Sequence, residues 1–213
     1  MKLPPSSSDA FNVILVGAWN PSIFLPEWAK EHLADDKNRD VVLAIPMQFG
    51  NAPSRLTIDA VNLYPSTGAL MMDCVEYNDA SIDAGARKLT QVAQLLPHTP
   101  VNAVGVNFRF WGDLNDSDLL AGLFTFGDAG RVDSSRYGLT GALVKRAFRV
   151  SDKTTLHLSM DSSAAGLRVE FNFHSDVRRL AEAVDRASAG EIRAARDQSI
   201  QFLHDVYGID LDE

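Results

Sequence analysis

Gly166-Leu-Arg-Val-Glu-Phe-Asn-Phe-His174 alternates apolar and polar residues without a break. Side chains on a strand point alternately to its two faces, so Leu167, Val169, Phe171 and Phe173 share one side. Arg168, Glu170, Asn172 and His174 share the other. Alternation this regular marks an antiparallel sheet with one face on a core and the other solvated. The preceding stretch has the same form: Leu156, Leu158 and Met160 alternate with Thr155, His157 and Ser159. With Asp161 to Gly166 as the turn, the two strands form a hairpin that gathers His157, Arg168, Glu170 and His174 on one polar face.

Outward from this hairpin, Leu139 to Val150 reads as a third strand and Val101 to Phe110 as the strand that opens this half. A short helix is expected from Asp116 to about Phe124, then a glycine-containing loop to Gly138. Ser175 is expected to cap a helix that Ser188-Ala-Gly190 interrupts, with a second stretch from Glu191 to about Tyr207. In the first half, Phe11 to Trp19 is an apolar, β-branched strand, and Pro26-Glu-Trp28 opens a short helix. Val41 to Phe49, Arg55 to Asp59 and Ala69 to Glu76 follow as strands. A helix capped by Asn78 or Asp79 runs to about Leu96, with Ile82, Ala86, Leu89 and Val92 on one face.

Both halves therefore read as β-α-β-β-β-α. The run Ala69 to Asp79 aligns without gaps to Gly166 to Asp176, matching Leu70 to Leu167, Met72 to Val169 and Asp73 to Glu170. The expected fold is α+β: an antiparallel sheet with helices on one face, built from two tandem units. Residues 1–10 form a flexible arm, 11–97 the first unit and 98–213 the second with an extended C-terminal helix, all in one compact domain. In topology alone this resembles the duplicated saddle of the TATA-binding protein. No motif here belongs to that family, and a shared topology carries no function across.

Composition sets further bounds. The 213 residues are 46% hydrophobic and 23% charged, as in ordinary globular proteins. Net charge is −8, and each half contributes −4, so a general coat for nucleic acid is not expected. No apolar run approaches the ~20 residues that span a bilayer. Cys74 stands alone in an apolar run and reads as a small buried hydrophobe. One cysteine and no apolar leader point to a reducing cytoplasm.

Three places are candidates for function. The first is the polar hairpin face of His157, Arg168, Glu170 and His174, suited to binding a ligand or to acid–base chemistry. Its plainer reading is a solvated sheet face. The second is the segment from Arg131 to Lys153, which holds six basic and two acidic residues in an acidic chain. Arg136, Lys145, Arg146 and Arg149 can bind an anion there, or guard a sheet edge. Third, Trp19, Phe24 and Trp28 surround two prolines in a loop, either as an interface anchor or as a cover for the chain's own core.

No phosphate-binding loop, dinucleotide fingerprint, zinc-binding pair or nucleophile elbow is present. No cofactor or metal is expected. The leading expectation is a non-enzymatic interaction protein, a subunit or adaptor with a protein partner or a second copy of itself. The alternatives are a small-ligand sensor and, third, an enzyme using His157, His174 and Glu170.

Overall fold

The computed structural model describes residues 10–46, 53–112, 124, 131, 136–138, 140–163 and 166–211. Their strands join in one continuous antiparallel sheet. They are β1 (Phe11–Gly17), β2 (Val42–Ala44), β3 (Arg55–Ile58), β4 (Val61–Pro65), β5 (Ala69–Cys74), β6 (Val101–Gly112), β7 (Gly141–Arg149), β8 (Thr154–Ser163) and β9 (Gly166–Asp176). The spatial order is β2-β3-β4-β5-β1-β6-β9-β8-β7. Helices α1 (Pro26–His32), α2 (Asp79–Leu95), α3 (Leu180–Arg186) and α4 (Ala189–Tyr207), with a single 3-10 turn at Pro21–Ile23, complete the described elements. None is long and apolar enough to cross a membrane.

The register puts the apolar positions in line. Leu56, Leu63, Met72, Val13 and Val106 follow one another across five strands, and Val106, Phe173, Leu156 and Phe148 continue across the rest. The helices cover this face. Phe202 of α4 packs against Phe148 and Phe171, with ring centroids 5.3 and 5.9 Å apart. Gly85 of α2 lies close against Met72, where a Cβ would meet the sulfur at 2.8 Å. Arg193 and Arg196 of α4 reach Asp83 and Asp79 of α2, each at 2.7 Å, and so clasp the helices of the two halves together.

Several expectations are refined. The first half holds one strand more than its sequence suggests: β4, which returns from β3 through a two-residue turn in which Asp59 takes the left-handed conformation at φ 53°. Ser175 does not cap a helix. It extends β9, where its hydroxyl lies 2.8 Å from that of Thr154, and the helix begins at Leu180. The Asn78 cap and the break at Ser188 stand as expected, each side chain accepting from the N–H three residues on. Strand β2 is shorter than Val41 to Phe49. The expected arm at 1–9, the helix from Asp116 up to Phe124 and most of the loop to Gly138 lie outside the described residues.

Candidate functional site

The second face of the sheet carries no described helix, and its residues form rows across the strands. One row runs Thr57, Asn62, Asp73, then Asn12, Asn107, Asn172, His157 and Ala147. It is an amide ladder. Thr57 Oγ1 donates to Asn62 Oδ1 at 2.7 Å, and Asn62 Nδ2 to Asp73 Oδ1 at 2.7 Å. Asn107 Nδ2 donates to Asn12 Oδ1 at 2.8 Å, and Asn172 Nδ2 to Asn107 Oδ1. Asp73 is only 2% exposed, and Asn12 and Asn62 are buried beside it in the row. Burial and the nearby Asp73 carboxylate push the Tyr64 hydroxyl up to about 12. The same two causes raise the Cys74 thiol to about 12, and its sulfur donates to the Ser81 carbonyl at 3.2 Å. That makes Cys74 a buried, unreactive group.

The next row is charged: Arg109, Glu170, Ser159 and Lys145 stand opposite one another on β6, β9, β8 and β7. Arg109 Nε donates to Glu170 Oε1 at 2.9 Å, and Arg168 donates to the same oxygen. Arg168 also stacks on Trp111, its Cζ 5.3 Å from the ring centroid. Glu170 is thus held between two guanidiniums. His157 and His174 are diagonal neighbours with ring centroids 6.1 Å apart, and His174 Nε2 lies 3.5 Å from Asp176 Oδ1. The structure therefore brings His157, Arg168, Glu170 and His174 onto one face, with Glu170 paired to arginine rather than histidine. Among the described residues, no group of three or more His, Cys, Asp or Glu is placed to hold a metal ion.

Beside these residues a shallow groove of about 540 Å³ is lined by Lys145, Ala147, His157, Ser159, Glu170 and Asn172. A second depression of about 430 Å³ lies where β1 ends and β6 begins, with Arg178 as the one charged lining residue among the described residues.

The basic segment is divided. Lys145 and Arg149 stand on the open face of β7, whereas Arg146 points to the helix side and donates to the Tyr207 hydroxyl at 2.8 Å. Arg136 precedes the strand and lies over the Tyr137 ring. The aromatic loop is mostly inward. Trp19 and Phe24 are 5% and 2% exposed, and Trp19 Nε1 donates to the Leu15 carbonyl at 3.0 Å. Trp28 packs on Phe24 and keeps some exposure, so the aromatics chiefly close the core.

Arg109, Trp111, Ser159 and Asn172 complete the charged face. Arg109 and Trp111 were legible in the alternation of β6, since Phe108 and Phe110 assign the intervening residues to the opposite side. Compared with known proteins, the chain matches no family model and no curated sequence.

Proposed function

We propose that this is a non-enzymatic interaction protein, a subunit or adaptor that docks through the free edge of β7. The observation that carries the reading is the edge itself. β7 pairs with β8 in unbroken register over nine residues, and no described strand lies on its other side. The opposite edge, β2, is only three residues long. Val150 donates to the Thr154 carbonyl, so alternation along an antiparallel ladder turns the N–H and C=O of Leu143, Lys145, Ala147 and Arg149 outward. Leu143 is 54% exposed beside them.

A partner strand added there gains main-chain hydrogen bonds along its length. β7 contains Lys145, Arg146 and Arg149 and no acidic residue. Two copies side by side would oppose like charges, so charge complementarity favours an acidic segment of a partner protein. Cys74, buried and reduced, suits a cytoplasmic setting. Glu170, held by two arginines, is poorly placed as a general base, which weighs against the enzyme reading.

We also infer that the chain arose by tandem duplication. Val13 opposite Met72 in the first half corresponds to Phe110 opposite Val169 in the second, a step of 97 residues for both partners. The same step carries Leu63 opposite Met72 onto Met160 opposite Val169. It also carries Phe11 onto Phe108, which face each other at the β1–β6 junction with ring centroids 5.3 Å apart.

The test is the mass of the full-length protein, purified from its own cells, by light scattering. A stoichiometric complex with a partner protein is expected. Ala147→Pro, which removes an outward N–H and leaves the β8 ladder intact, and Leu143→Asp should each dissolve it. A monomer without companions, or an assembly untouched by both variants, would overturn the reading.

A further inference from the structure

The groove on the open face is more than a polar surface, because its groups are placed in a grid and several lack partners. Lys145 stands opposite Ser159, which stands opposite Glu170; one row along, Ala147 stands opposite His157, which stands opposite Asn172. Neighbouring strands lie about 4.8 Å apart, so these side chains converge within the reach of one small ligand. Ala147 is the small residue in this grid, and the depression opens above it.

Neither the Lys145 ammonium, the His157 ring nitrogens nor the Ser159 hydroxyl has a hydrogen-bond partner among the described residues. Asn172 is different. Its amide nitrogen is committed to Asn107 by the ladder, which fixes the side chain and leaves its oxygen free for a ligand hydroxyl. Electrostatics select the ligand's sign. The carboxylate lining the groove, Glu170, is already compensated by Arg109 and Arg168, so it does not repel an incoming anion. Lys145 and the nearby Arg149 then leave the local balance positive in a chain of net charge −8. An ammonium, a hydroxyl and an imidazole around one point donate to several oxygens at once, which suits a tetrahedral oxyanion better than a planar one.

We propose that this groove binds a small phosphate-bearing molecule, its phosphate held by Lys145, His157 and Ser159 and a neighbouring hydroxyl by Asn172. The site shares Lys145 with the β7 edge, whereas His157, Ser159 and Asn172 lie on the inner strands β8 and β9.

The test titrates the full-length protein with inorganic phosphate by calorimetry and by backbone amide shifts, with acetate as the planar comparison. Saturable binding is expected, with shifts centred on Lys145, His157, Ser159 and Asn172. Lys145→Gln and His157→Gln should each weaken it about tenfold, the scale of one lost charge-assisted hydrogen bond. Both positions are exposed, so the variants should keep the wild-type melting temperature. Lys153→Gln, which removes a cation paired to Glu182 away from the groove, should leave binding unchanged. Non-saturating shifts, acetate binding as tightly as phosphate, or equal affinity in the Lys145 and His157 variants would each overturn the proposal. His157→Gln and Ser159→Ala leave β7 untouched, so their effect on phosphate is separable from any effect on assembly.

Discussion

Lys88 is a fully buried cation at the seam between α1, α2 and the β3–β4 turn. Its ammonium donates to the Leu33 carbonyl at the end of α1 and to Asp35 at 2.7 Å, and it lies 3.0 Å from Asp59. Burial alone would raise the Asp59 carboxyl, but the Asp35 N–H and Lys88 outweigh it and hold it below the usual range. Removing one partner of such a buried pair costs about 3–5 kcal/mol, so Lys88→Met should lower stability by that order in urea unfolding. The pH dependence has a definite sign. A depressed carboxyl stabilises the fold above its unfolded value of about 3.9 and loses that contribution as pH falls through the lower folded value. The gap between wild type and Lys88→Met should therefore be widest near neutrality and close as the pH falls below about 4. A gap constant from pH 7 to pH 2.5 would contradict this assignment. The sequence hid Lys88, because a lysine in an amphipathic helix is normally solvated. Its spacing from Gly85 and Val92 was the available clue, since residues three and four apart share a helix face. By contrast, the grouping of His157, Arg168, Glu170 and His174 was legible, because strand alternation assigns faces without reference to distant parts of the chain.

At the scale of elements, the long strands and helix caps announced themselves and the short pieces did not. β4 was missed because its turn is Asp59-Ala60, not the Asn-Gly or Asp-Gly pair that signals a tight hairpin, and because Pro65 suggested a loop. Ser175 suggested a cap because hydroxyls favour that role, yet its partner is Thr154 on the neighbouring strand, a contact set by sheet register. The aromatic loop was ambiguous for a similar reason: whether Trp19 points in or out depends on what covers the end of β1. The close of β1 offers a sharper test. Val16 and Gly17 shift in register against β6, and Ala18 donates to the Pro100 carbonyl at 2.9 Å. A Cβ on Gly17 would sit 2.2 Å from that carbonyl oxygen, with no flexible side chain to give way. Gly17→Ala should lower the melting temperature by several degrees, corresponding to about 1–3 kcal/mol of strain. A variant as stable as wild type would show that the β1–β6 end is less tightly seated than its geometry indicates.

At the scale of the molecule, the centre of the sheet is made by two strands from distant parts of the chain. β1 joins β6 through seven register pairs, the Phe11–Phe108 contact and the Asn107–Asn12 step of the amide ladder. Expressed alone, residues 1–97 would have β1 as a bare central edge. That fragment should form a dimer through β1, with Phe11 meeting its own copy where Phe108 stands in the full chain, or aggregate; light scattering distinguishes either from a folded monomer, which would contradict the expectation. The same arrangement sets a clock on biogenesis. β1 leaves the ribosome about ninety residues ahead of β6, its central neighbour. At roughly 5–20 residues per second, β1 waits on the order of 5–20 seconds with one side unclaimed. During that interval the nascent chain needs a shield, and the strand that becomes the best protected in the finished sheet is the one most open to capture by a chaperone or by a neighbouring nascent copy.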